Sequence, residues 1–346
     1  MKPNQRNLTR KATVLAIGVA AGAITAAAPA FAECDPGAAE KTFKLGHVIP
    51  ADPNHSYHAA AMTMKEEVEA ASACSIQITI YPAGQLGGDR AMLESITIGT
   101  QDMGVISGPV ASAFTPVLDA LSLPWLFDGD LDFQYDVLSG PAGAALLDAF
   151  QDDTGVVALG YVFQPFRNFV TKNPVESLED FKGVKIRSME NPLHMETFKD
   201  IGASPTPVPY PELYGALETG VVDAFDGDVI GVYAGKYYEV IDNFTLSNHF
   251  TTSPVILMSQ MAWRGLSDEQ QGWLETAADA AATRSYELTK EFVPVYTQKL
   301  QDAGVTFHEI DIAALRGTTS SLYDEYRGKS PEIASFLDSV AAARSN

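Results

Sequence analysis

Between Thr42 and Ser107 the chain alternates between two periods, and this alternation limits the fold more than any other stretch. Thr42 to Val48 and Ser75 to Tyr81 carry the two-residue period of strands. Ser56 to Ala73 carries a helical period, with Met64 and Val68 on one face and Lys65, Glu66, Glu67 and Glu69 largely outside. The loop Pro82-Ala-Gly-Gln-Leu-Gly-Gly88 leads to Asp89, expected to cap a helix whose apolar face is Met92, Leu93 and Ile96 and whose end is marked by Gly99. Met103 to Ser107 reads as a short buried strand. A β-α-β-α-β order predicts a parallel sheet with helices on both faces, hence an α/β fold.

The pattern continues. Leu131 to Gln151 is helical, and Val156 to Phe163 is an apolar strand running into Gln164-Pro-Phe-Arg-Asn-Phe-Val170. Ser177-Leu-Glu-Asp180 resembles a capping box and precedes a basic strand, Gly183-Val-Lys-Ile-Arg-Ser-Met189. A helix near Leu193–Ile201, a proline-rich connection (Pro205, Pro207, Pro209, Pro211) and a short helix from Glu212 to Thr219 follow. Then come a strand, Val221 to Phe225, a helix, Gly231 to Ile241, and a strand, Val255 to Ala262. Ser267-Asp-Glu-Gln270 is a capping box opening a helix to about Ala303, which Pro294 would kink or break. A last strand, Val305 to Ile310, and two C-terminal helices close the chain. The architecture expected is two α/β halves joined by crossing strands.

The first 32 residues have the form of an export leader. Lys2, Arg6, Arg10 and Lys11 form a basic start, Ala12 to Ala28 is small and apolar, and Ala30-Phe31-Ala32 is a cleavage site that makes Glu33 the first mature residue. The whole 346-residue chain carries a net charge of −21. The leader's four basic residues leave 19 basic against 44 acidic residues in the remainder, a balance of −25. Such a chain repels nucleic acid and anionic membrane surfaces, and an anionic ligand would need a local cationic site. Of the two cysteines, Cys34 is the second mature residue and Cys74 precedes a strand. An oxidising compartment favours their pairing over two free thiols.

Three cations fall within six residues at Lys182, Lys185 and Arg187. In a strand, Lys185 and Arg187 share the face opposite Val184 and Ile186. A guanidinium so placed can clamp a carboxylate through two parallel charge-assisted bonds, or else be a surface residue in an ordinary ion pair. Arg167 lies where the halves would meet, and Val222-Asp-Ala-Phe-Asp-Gly-Asp228 places Asp226, Asp228 and Phe225 at a strand end, where open α/β sheets bind ligands. No G-x-S-x-G and no G-x-G-x-x-G is present, and Gly231-Val-Tyr-Ala-Gly-Lys236 is one residue short of a phosphate loop. Asp128-Gly-Asp-Leu-Asp132 opens like a calcium loop but has Phe133 at the glycine position and Ser139 at the glutamate position. His55 and His58, near Asp52, could be half a metal site, but capping or surface roles fit them better.

In order along the chain stand Leu45-Gly-His-Val48, Tyr81-Pro-Ala-Gly-Gln-Leu-Gly-Gly-Asp-Arg90, Gly99-Thr-Gln-Asp-Met103, Leu123-Pro-Trp-Leu-Phe127 and Phe166-Arg-Asn168. They are followed by Leu178-Glu-Asp-Phe-Lys-Gly-Val-Lys-Ile-Arg187, Gly202-Ala-Ser-Pro-Thr-Pro207, Glu212-Leu-Tyr-Gly-Ala-Leu217, Gly220-Val-Val-Asp223 and Lys236-Tyr-Tyr-Glu-Val240. This series resembles the periplasmic solute-binding proteins of tripartite ATP-independent periplasmic (TRAP) transporters. The resemblance implies a two-domain, Venus-flytrap fold with crossing strands and a long domain-spanning helix. It implies domains at 33–164 plus 253–292 and at 165–252 plus 293–346. It also implies a small carboxylate ligand, TRAP permease subunits as partners, a periplasmic location and binding without enzymatic turnover; no cofactor and no metal-ligating residue is assigned, and the sequence leaves open whether a metal bridges ligand and protein.

By the resemblance Arg187 binds the ligand carboxylate and Arg167 assists. The family's ligand-contacting asparagine is replaced here by Gly227. Phe225 offers an apolar or stacking face there, and Asp226 and Asp228 can accept hydroxyls or pair with an amine. Tyr210 and Met189 complete the expected site. These acids favour a hydroxylated carboxylate such as a uronic or aldonic acid over a zwitterion or a C4-dicarboxylate.

Overall fold

The computed structural model describes residues 34–345 apart from 36 and 38, so the expected leader and its cleavage site lie outside the described residues. Eleven strands are β1 (Lys41–Gly46), β2 (Ile76–Tyr81), β3 (Met103–Ile106), β4 (Val157–Tyr161), β5 (Arg167–Thr171), β6 (Lys185–Ser188), β7 (Ser204–Pro207), β8 (Ala224–Gly227), β9 (Asn243–Phe250), β10 (Val255–Met258) and β11 (Thr306–Glu309). They form two sheets. The first has the order β2-β1-β3-β10-β4 and the second β11-β9-β5-β8-β6-β7.

The first three strands are parallel, as the alternating periods predict, with helices α1 (Ser56–Ala71) and α2 (Asp89–Thr97) as crossovers. β10 runs antiparallel to both β3 and β4, so the complete sheet is mixed. The chain leaves this sheet between β4 and β5 and returns between β9 and β10. The two expected crossings are therefore present. They bring residues 162–166 and 251–254 side by side, with Val162 N–H donating to the Pro254 carbonyl at 2.7 Å.

In the second sheet alternate residues feed two cores. Phe169, Ile186, Ala224 and Phe250 pack on one face; Val170, Phe225 and Phe244 pack on the other. The first sheet is held in a single larger core with Leu45, Met92, Val105 and Leu257 among its fully buried members. The capping box at Ser267 and Gln270 opens a helix of 35 residues, Asp268–Asp302, which continues through Pro294. It packs on α1 and β4 of the first half and on the helix Val229–Ala234 of the second.

Several boundaries differ from expectation. The helix read across Leu131 to Gln151 is two helices, Leu131–Leu138 and Pro141–Thr154, divided at Ser139 and Gly140. The proline-rich connection contains β7, which sits at a sheet edge, where prolines need not donate to a further strand. β9 was not foreseen: its exposed Leu246 and polar Asn243, Thr245, Ser247 and Asn248 hide the strand period. Asp89 is the first helical residue of α2 and Gly88 its cap. Three C-terminal helices follow β11 instead of two, Ile312–Thr319, Ser321–Arg327 and Pro331–Arg344. Leu322, Tyr326, Ile333, Phe336 and Val340 of the last two join the first sheet's core, not the second half's. Cys34 and Cys74 are joined by a disulfide, their Cα atoms 5.7 Å apart.

Candidate functional site

A cavity opens where the crossing segments meet the ends of β5, β6 and β8, and both halves contribute to its wall. All seven residues expected from the sequence line it: Arg187, Arg167, Asp226, Asp228, Phe225, Tyr210 and Met189. Their convergence follows from topology. Arg167 is the first residue of β5, immediately after the crossing. Arg187 lies beside Phe225 in the parallel register of β6 and β8. Asp226 follows on β8, and Asp228, just past the strand's end, caps the next helix.

The two arginines have different surroundings. Arg167 is buried and paired with Asp226, contacting both its carboxylate and its backbone carbonyl. Burial would raise the Asp226 carboxyl, but the Arg167 guanidinium more than offsets this and holds it well below the usual carboxylate range. Arg187 is only 3 % exposed, and among the described residues no acidic side chain pairs with it. Its Nε donates to the Val208 carbonyl at 2.8 Å, which leaves the fork of the guanidinium for another acceptor. Burial, and then the charge of Arg167, push its pKa down, so the site favours an added anion.

The acids expected to meet ligand hydroxyls are largely engaged. Asp228 Oδ1 caps the helix Val229–Ala234 by accepting from Ile230 N and Gly231 N, and its Oδ2 accepts from Gln164 Nε2 at 3.0 Å. Asp226 keeps Oδ1 without a protein partner. Met189 Sδ accepts from Ser107 Oγ at 3.4 Å across the two halves. Tyr210 stands edge-on to Tyr237, and Tyr237 lies 4.8 Å from the Phe225 ring.

The cavity also contains residues that sequence reasoning did not assign to it. His55 caps α1, as expected of a histidine before a helix, but its ring is buried in the cavity wall. Asp89, Ser107, Gln164, Tyr237 and Thr252 join it. Asp89 and Tyr237 stood within recognisable motifs, while Gln164 and Thr252 are revealed only by the crossings. Burial pushes the Asp89 carboxyl up to about 7, against the opposing pull of the Ser107 N–H and the Arg187 charge. His55 Nε2, Gln164 Oε1, Asp226 Oδ1 and Thr252 Oγ1 are buried polar atoms with no protein partner. Tyr210 Oη is a fifth; such atoms are rare in native proteins, and five around one cavity offer hydrogen-bonding partners to a polar guest.

The chain is similar to several known proteins. A family model described as bacterial extracellular solute-binding protein, family 7 (DctP), matches residues 45–329. The sialic acid-binding periplasmic protein SiaP of Vibrio cholerae is 26 % identical over 288 residues, 83 % of this chain and 89 % of that protein. A TRAP periplasmic solute binding protein from Citrobacter koseri, solved with bound D-glucuronate, has a TM-score of 0.82 at 30 % identity, covering 87 % of this chain and 98 % of its own. Another from Xanthobacter autotrophicus, with bound β-D-galacturonate, has a TM-score of 0.83 at 26 % identity, covering 87 % and 99 %.

Proposed function

The chain belongs to the bacterial extracellular solute-binding proteins of family 7, and from that premise we propose that it captures a hydroxylated monocarboxylate, a uronic or aldonic acid, and hands it to a TRAP membrane permease. One observation carries the ligand class: the Arg187 guanidinium is buried in the cavity without an acid of its own. A buried cation is costly unless paired, and a carboxylate is the group that fits its fork. The five orphaned polar atoms are partners for hydroxyls.

The remaining charges narrow the choice. The charge of Asp226 is compensated by Arg167, and Asp228 is held by a helix end and Gln164, so neither offers an uncompensated charge to an amine. A second ligand carboxylate would find no unpaired cation among the described lining residues, because Arg167 is already held by Asp226, which disfavours a C4-dicarboxylate. The relatives described above bind sialic acid, D-glucuronate and β-D-galacturonate, all sugar acids. The leader read in the sequence delivers the protein to the periplasm, where the two halves close over the ligand. The division proposed for those halves is 33–164 plus 253–292 against 165–252 plus 293–346. The ligand leaves unchanged.

Calorimetry and thermal shift with D-glucuronate, D-galacturonate, the matching aldonates, succinate and ectoine test this reading. A sugar acid should bind one to one, raise the melting temperature and be recovered intact. The reading falls if no monocarboxylate raises it, or if succinate or ectoine binds more tightly than every sugar acid.

A further inference from the structure

Gly227 and Phe225 are two residues apart on β8 and share a face. A Cβ at Gly227 would stand 2.7 Å from Phe225 Cε2 and 3.2 Å from Val232 Cγ2. The phenyl ring therefore occupies the space that a side chain at 227 would take. On the neighbouring strand Arg187 is in register with Phe225, while their preceding residues Ile186 and Ala224 join the core on the opposite face. The guanidinium and the ring thus stand side by side on the face that borders the cavity. Tyr237, 4.8 Å from Phe225, and Tyr210, 5.9 Å from Tyr237, extend the aromatic wall.

Of the orphaned polar atoms, those of His55, Gln164 and Thr252 belong to the end of α1 and to the two crossing segments, while Tyr210 Oη and Asp226 Oδ1 lie beside the aromatic wall. A guest with its carboxylate on Arg187 is thus offered the Phe225 ring directly beside the carboxylate, with polar groups at the end of α1, on the crossing segments and at Tyr210 and Asp226. In a hexuronate pyranose the carboxylate is attached to the ring, one bond from a C–H face, and its hydroxyls project from the ring's edge. An open-chain aldonate of six carbons carries a hydroxyl on every carbon next to and beyond its carboxylate. It has no fixed C–H face, and its chain freedom is lost on binding.

We propose that the Phe225 ring, laid over Gly227 and beside Arg187, is the specificity-determining surface of this site and selects closed-ring hexuronates over open-chain aldonates. This rests on the sugar-acid reading above and deepens it. The aromatic ring contributes through dispersion and through its negative face, which attracts the ring's C–H groups.

Calorimetry compares D-glucuronate with D-gluconate and D-galacturonate with D-galactonate on the wild type, F225L and F225Y. The wild type should bind the better uronate about ten-fold or more tightly than its aldonate. F225L keeps an apolar side chain but removes the ring, and should bring that ratio to within about three-fold by weakening the uronate alone. F225Y should keep the preference. Equal or tighter aldonate binding by the wild type overturns the inference, and this arm requires no folded variant. A ratio unchanged in folded F225L overturns it as well. Failure of both classes to bind sinks the sugar-acid reading together with this one, whereas a preference for aldonates sinks this one alone.

Discussion

Arg167 and Asp226 form a buried ion pair in which the guanidinium reaches both the carboxylate and the backbone carbonyl of the same residue. The pair ties the first residue of β5 to the neighbouring strand β8 at the point where the chain has just crossed between sheets. It is a structural clasp as much as a part of the cavity wall.

Removing Arg167 should consequently weaken the ligand-free protein. Arg167→Ala leaves the Asp226 carboxylate buried beside His249, whose own ring is held neutral, with a pKa near 3, by burial. An uncompensated buried charge costs about 3–5 kcal/mol. A chemical melt of the ligand-free variant should show this loss, and Asp226→Asn should show a similar one. Melts indistinguishable from wild type would mean that the pair contributes nothing to the fold.

Arg187→Ala should do the opposite. The ligand-free protein loses a desolvated cation with no acidic partner, so its melting temperature should hold or rise. Affinity for the best sugar acid should fall by about 2–5 kcal/mol, a hundred-fold or more at the upper part of that range. Arg187→Lys should recover only part of this, because an ammonium cannot make two parallel bonds to a carboxylate. Unchanged affinity in the alanine variant would remove Arg187 from the site.

The fold and the site were legible in the sequence to different depths. The β-α-β-α-β start was readable because Met64, Val68, Met92, Leu93 and Ile96 keep a clean period over one buried face. β9 was not, since its polar residues are buried by tertiary contacts: Thr245 hydroxyl donates to the Val175 carbonyl, and Ser247 N–H to Asn168 Oδ1. Arg187 was legible as a cation on a strand of an acidic chain. That Asp226 is bound to Arg167, and not presented to a ligand, depends on the pairing of β5 with β8, which no local pattern encodes. His55, Gln164 and Thr252 come from three distant segments and meet only through the crossings.

Cys34 and Cys74 close a loop of 40 residues that contains β1 and α1. Gln77 Nε2 also holds the arm, donating to the Asp35 carbonyl at 2.8 Å. By the chain-entropy account a disulfide over a loop of this size contributes about 3–4 kcal/mol through the unfolded state. Cys34→Ser, or reduction of the wild type, should lower the denaturation midpoint accordingly and leave sugar-acid affinity within about two-fold, since neither cysteine lines the cavity. A midpoint insensitive to reductant would show that the arm adds no constraint.

Ligand binding should be linked to a proton on Asp89. In the ligand-free protein burial has already moved this carboxyl up to about 7, and the Arg187 charge is one of the two influences holding it down, while Glu190 adds to the rise. A ligand carboxylate on Arg187 cancels that help and adds a like charge nearby, so the Asp89 carboxyl moves further up in the complex. The sign follows: the complex favours protonated Asp89. Well below pH 7 the group is neutral in both states, and the affinity is flat. Above about 7 the free protein must take up a proton to bind, so Kd should rise by as much as ten-fold per pH unit until the carboxyl of the complex also ionises. His55 does not compete for this assignment, because burial lowers its pKa and keeps it neutral across the range. Calorimetry from pH 6 to 9, in buffers of different ionisation enthalpy, would count the proton directly. Asp89→Asn should abolish both the uptake and the slope, and a wild-type Kd that stays level across this range would uncouple Asp89 from the ligand.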